Sequence, residues 1–111
     1  MCRLAVALAA FLAVATVGAG ASAAAPAVQP KVYVVVLNAM KFGPVPAVIH
    51  PGDMILWVNR DIFQHSVTAR NHHFDIDLPT GKMVRQRFNR VGTYPFTCKY
   101  HPGMTGQVVV K

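Results

Sequence analysis

After residue 30 the apolar residues fall into short runs cut by turn residues, and the runs have the character of strands. Residues 31–37 (KVYVVVL) are rich in β-branched side chains and predict a first strand. Residues 42–46 (FGPVP) predict irregular chain, because two prolines and a glycine interrupt them. A short strand is expected over 48–50, closed by the turn signal Pro51-Gly52-Asp53, and a longer one over 54–59 (MILWVN). Residues 60–64 lack a pattern. Residues 66–69 and 74–76 predict short strands around a polar loop, and 84–88 (VRQRF) alternate with period two, giving one wet face. Residues 92–98 (GTYPFTC) and 107–110 complete the set. Pro95 inside a strand points to an edge or bulge position. Seven to eight short strands and no helical periodicity predict an all-β, Greek-key sandwich over residues 31–111.

The N-terminal pattern is of another kind. All but five of the first 25 residues are apolar, and without them the apolar fraction falls from 53% to about 45%, an ordinary globular value. Arg3, an apolar stretch over 4–17 and small residues from Gly18 to Ala25 have the order of a cleavable export signal, with Ala21-Ser22-Ala23 or Ala23-Ala24-Ala25 as cleavage sites. The stretch is short for a spanning helix, so no stable membrane insertion is expected after cleavage. Residues 26–30 form a short linker. The reading is therefore a signal over 1–25 and a small domain working in the periplasm or another exported compartment.

Removal of the signal would take Cys2 with it and leave Cys98 as a lone thiol in an oxidising compartment. Such a thiol is either buried and inert or occupied, and its neighbours favour occupation. Cys98-Lys99-Tyr100-His101-Pro102-Gly103-Met104 places a thiolate, an imidazole and a thioether within seven residues. With His65, at the junction of an irregular loop and a strand, they make the donor set of a His2Cys copper site with an axial Met. Structural zinc sites seldom use Met, haem attachment needs a C-x-x-C-H motif, and an iron–sulfur cluster needs more thiolates. A Cys98 nucleophile would lack an oxyanion hole and a third partner.

These residues resemble the cupredoxins, the type 1 blue copper proteins typified by amicyanin and plastocyanin. The resemblance runs through Pro51-Gly52-Asp53, Trp57-Val58-Asn59-Arg60-Asp61, His65, Phe74, Gly92-Thr93-Tyr94-Pro95-Phe96, C-x-x-H-x-x-M and the final strand. It implies copper ligation by His65, Cys98, His101 and Met104, and an Asn59 side chain that pins the backbone of the loop before the first histidine. It also implies that His101 shows a ring edge at the surface, with Phe63, Pro102 and Gly103 around it. Three positions depart from the pattern. Gln64 and Ser66 flank His65 where those relatives have Pro and Asn, and Tyr100 stands where they have Pro. Tyr100 thereby brings an N–H that is expected to reach the Cys98 sulfur beside that of Ser66.

The function expected is one-electron transfer by a monomeric, non-enzymatic copper protein; the alternative is copper homeostasis or delivery with the same ligands. Net charge is +7, with only Asp53, Asp61, Asp75 and Asp77 as acids, which favours an acidic redox partner of cytochrome or dehydrogenase type. No basic helix or RNA-binding signature suggests nucleic acid. His50, His72 and His73 are expected to be solvated, Met40, Met54 and Met83 to be filler, and Arg85, Arg87 and Arg90 to line a wet face.

Overall fold

The computed structural model describes residues 9–20 and 29–111. Residues 9–20 carry neither helix nor strand and are exposed; the remainder of the expected signal and most of the expected linker lie outside the described residues. No helix among the described residues is long and apolar enough to cross a membrane.

Eight strands make two four-stranded sheets. They are β1 (Val32–Asn38), β2 (Lys41–Phe42), β3 (Met54–Asn59), β4 (His65–Ala69), β5 (Asp75–Leu78), β6 (Met83–Arg87), β7 (Gly92–Thr97) and β8 (Thr105–Val110). One sheet runs β2-β1-β3-β6, with β1 and β3 parallel, and the other runs β5-β4-β7-β8. The chain changes sheet after β3, β5 and β6, so the two inner faces enclose one core. Alternation places Val35 and Leu37 of β1, Ile55 and Trp57 of β3, Phe96 of β7 and Val108 and Val110 of β8 inside. Trp57, Phe96 and Phe42 stack edge to face at the centre, with centroids 4.8–6.2 Å apart. Strand β6 has the expected wet face, with Met83, Arg85 and Arg87 exposed.

Three expectations need correction. Residues 48–50 form no strand: Ile49 makes one isolated bridge to Val110, since Pro46 and Pro51 bracket a segment too short to extend it. Conversely, Lys41–Phe42 pairs with β1 through a two-residue turn at Ala39-Met40, both in the left-handed region at φ 49° and 60°. Pro95 lies on β7, which is central and not at an edge. Its ladder with β4 covers only Thr68↔Thr97 and Ala69↔Phe96, and the Pro95 carbonyl accepts the N–H of Arg70 just beyond. The missing proline donor therefore falls where the neighbouring strand has already ended.

The turn before β3 is as its residues imply. Gly52 sits at φ 93°, and the buried Asp53 carboxylate accepts the N–H groups of His50 at 2.8 Å and Lys31 at 2.9 Å. Asp53 thus ties the start of β1 to the entry of β3, as turn chemistry and not as an acid.

Candidate metal centre

The donor atoms come from two loops at one end of the sandwich. His65 opens β4 after an irregular segment; Cys98 leaves β7, and residues 98–104 turn back into β8. Backbone bonds close that turn at its ends, from Cys98 N–H to the Met104 carbonyl at 3.0 Å and from Met104 N–H to that of His101 at 2.9 Å.

Asn59 holds the first loop. Its amide donates to the carbonyls of Phe63 at 2.8 Å and Leu78 at 2.7 Å, and its Oδ1 accepts the N–H of Asp61 at 2.8 Å. A fully buried amide with all these bonds made is a rigid staple. The role expected of Asn59 is the one observed.

His65 and Cys98 are fully buried, and His101 is partly exposed. His65 Nδ1 lies 3.2 Å from His101 Nδ1, and Cys98 Sγ lies 3.8 Å and 3.7 Å from the two nitrogens. The point in their plane equidistant from these three atoms is about 2.1 Å from each, within the range of metal–nitrogen bonds and close to the roughly 2.3 Å of metal–sulfur bonds. Among the described residues these three side chains form the one group of His, Cys and acidic residues spaced to hold an ion. Met104 is buried in the same turn and joins Cys98 in the core cluster. Soft sulfur with two imidazoles suits copper, and the site fits a single copper ion.

Asp61 completes the arrangement, a role not foreseen in the sequence. Its Oδ2 lies 2.9 Å from His65 Nε2. An ionised carboxylate only accepts, so Nε2 carries the proton and Nδ1 turns its lone pair to the site. The same carboxylate accepts the N–H of Met40 at 2.8 Å, so it also braces the Ala39-Met40 turn. The His65 bond first, then the Met40 N–H, hold the Asp61 carboxyl down at about 2. The available signal was an acid four residues before a ligand histidine, but turn residues crowd such loops.

The thiolate side has its own support. Ser66 N–H donates to Cys98 Sγ at 3.3 Å. Ser66 Oγ accepts the N–H of Lys99 at 2.8 Å and passes its own proton to Thr68 Oγ1 at 2.9 Å, which donates to Asp75 Oδ1 at 2.9 Å. The direction is set by Asp75, which can only accept. The expected bond from Tyr100 N–H to the sulfur is not made. The Tyr100 side chain is instead drawn out over β5, where its hydroxyl donates to Asp77 Oδ1 at 2.7 Å.

Around the exposed edge of His101 lie Phe63, with a ring centroid 6.1 Å away, and the exposed Pro102 and Gly103. His50, His72 and His73 are exposed and stand outside the donor group, as do the exposed Met40 and Met83.

A small two-sheet sandwich with His, Cys and His donors converging at one end defines a copper-binding β-protein. The cupredoxin-like domain model matches residues 4–110. Amicyanin-alpha of Methylorubrum extorquens is 34% identical over 113 residues, covering 96% of this chain and 95% of that protein. Amicyanin of Paracoccus versutus is 30% identical, over 79% of this chain and 71% of that one. A mutant amicyanin with Cu(I) superposes with a TM-score of 0.64 at 26% identity, covering 72% of this chain and 82% of that one. The chain belongs to the cupredoxin-like family, and its relatives include amicyanins. It is a blue copper electron-transfer type of protein.

Proposed function

We propose that the protein is an exported one-electron carrier in which His65, Cys98, His101 and Met104 hold one copper ion. The observation that carries this reading is the close triangle of donor atoms on His65, Cys98 and His101, 3.2–3.8 Å apart. Copper, when bound, supplies the Cu(II)/Cu(I) couple. The chain's part is to resist rearrangement. Asn59 fixes one loop, Asp61 fixes the His65 ring and its proton, and the Ser66 N–H stabilises thiolate charge on Cys98. Three strong donors with Met104 as a fourth leave no position for a substrate, which supports a carrier and not an enzyme.

The route for the electron is the exposed edge of His101, within the rim of Phe63, Pro102 and Gly103. The partner is an acidic redox protein of cytochrome or dehydrogenase type. Among the described residues the four carboxylates are buried or face Lys99, and no arginine is in an ion pair, so the basic excess is free to steer association. Residues 1–25 act as the export signal, residues 26–30 as a linker and residues 31–111 as the monomeric working domain, in the periplasm.

Copper retention and electron self-exchange on the loaded protein test the reading together. A carrier keeps copper in both oxidation states against a Cu(I) chelator and self-exchanges rapidly. Ready release of Cu(I) with slow exchange would favour a homeostasis or delivery role.

A further inference from the structure

A chain of polar side chains crosses the surface of β5 and joins the two ligand-bearing segments. Tyr100 Oη donates to Asp77 Oδ1 at 2.7 Å and accepts from Gln64 Nε2 at 3.1 Å. Lys99 Nζ bridges Asp77 at 3.0 Å and Asp75 at 3.1 Å. From Asp75 the bonds return through Thr68 and Ser66 to the Lys99 N–H. Gln64 and Ser66 flank His65, while Lys99 and Tyr100 fill the interval between Cys98 and His101. The three positions at which this sequence departs from the amicyanin and plastocyanin pattern, Gln64, Ser66 and Tyr100, therefore lie in one bonded circuit.

We propose that Gln64, Tyr100, Asp77 and Lys99 form a clamp of positioning residues that locks the His65 segment to the loop over residues 98–104 and presets the spacing of the donor atoms. Its role in electron transfer rests on the copper reading; the clamp itself is made by the chain's own side chains.

The need for it follows from the local backbone. Residues 99–103 belong to no strand, and the turn's own backbone bonds involve only Cys98, His101 and Met104. A loop so tied opens at low cost unless side chains add bonds. Each exposed pair here is weak alone. Linked charge-assisted bonds that share Asp77 and Tyr100 reinforce one another, and all must break before the two segments part. Strand β5, paired with β4 from Asp75 to Leu78, gives the clamp a rigid base.

Amide hydrogen exchange on the copper-free full chain tests the clamp, comparing wild type with Tyr100→Phe, Asp77→Asn and Gln64→Ala. Tyr100→Phe keeps the ring and removes both bonds of the hydroxyl. Exchange at the Lys99 and Met104 amides should quicken by roughly three- to tenfold in that variant, while the β7–β8 ladder exchanges as in wild type. Asp77→Asn should act in the same direction, and Gln64→Ala should add little to Tyr100→Phe. With Cu(II) bound, Tyr100→Phe should show broadened copper hyperfine lines, reporting a spread of site geometries. Exchange at Lys99 and Met104 within about twofold of wild type in both Tyr100→Phe and Asp77→Asn would overturn the proposal. Because exchange is read without metal, failure of the protein to bind copper would overturn the functional reading separately.

Discussion

Replacing Ser66 by alanine isolates one link between fold and site. Ser66 is fully buried, and its hydroxyl is the acceptor for Lys99 N–H at 2.8 Å and the donor to Thr68 at 2.9 Å. Alanine keeps the backbone N–H on Cys98 Sγ but leaves the Lys99 N–H without an acceptor. Thr68 still has Asp75 to receive its proton, so its loss is a lone pair and costs less. An unmet buried donor costs about 1–3 kcal/mol, and the partly open loop lets water recover some of that. The expected loss is therefore about 1–2 kcal/mol of folding free energy, or roughly 5–15 °C in Tm for a domain of this size. Urea denaturation of the copper-free protein measures it, with an unchanged slope showing that the denatured state is unaltered. Thr68→Val perturbs the other end of the chain: it removes the Asp75 bond and the acceptor of the Ser66 proton while leaving Lys99 satisfied by Ser66. A loss below about 0.5 kcal/mol for Ser66→Ala would refute the assignment of Ser66 as the anchor of the loop.

Asp61→Asn should lower copper affinity by about 10–100-fold in a chelator competition, since the uncharged amide has one acceptor oxygen and cannot meet the Ile62 N–H at Oδ1 as well as the His65 and Met40 protons at Oδ2. Gly106→Ala should cost about 1–3 kcal/mol in urea denaturation; a Cβ there would stand 2.5 Å from Phe96 Cζ, and that ring is wedged against Trp57 and Phe42. Acid stability carries a further sign. The N–H groups of Lys31 and then His50 hold the Asp53 carboxyl below its ordinary 3.8. Its contribution is complete above about pH 4 and lost as pH falls through the folded value, so Asp53→Asn should show a shallower decline of the urea midpoint from about pH 4.5 to pH 2.

The parts of this molecule that could be read from the chain are those written in local pattern. The alternation in 84–88, the β-branched run of β1 and the Pro51-Gly52-Asp53 turn each carry their own signal within a few residues. The donor motif was equally local on one side, where Cys98, His101 and Met104 share seven residues, and His65 followed from its place at the start of a strand. Features held by distant partners were not legible. The Ala39-Met40 turn lacks the Asn-Gly signature of its conformation, and Asp61, 21 residues on, accepts the Met40 N–H. Asp61 itself gave no sign that it would face His65, because an acid in a polar loop is usually solvated. The outward turn of Tyr100 likewise depends on Asp77, 23 residues earlier, so the expected bond from its N–H to sulfur could not be judged from the motif alone.

In a type 1 copper site the Cys98 thiolate dominates the bonding to copper. Absorption and EPR spectra of the Cu(II)-loaded protein, beside those of Cys98→Ser, test it most directly. The wild type should show an intense blue thiolate-to-copper band with a narrow copper hyperfine splitting, both lost in Cys98→Ser. A colourless wild type, or the same spectrum in both proteins, would contradict it.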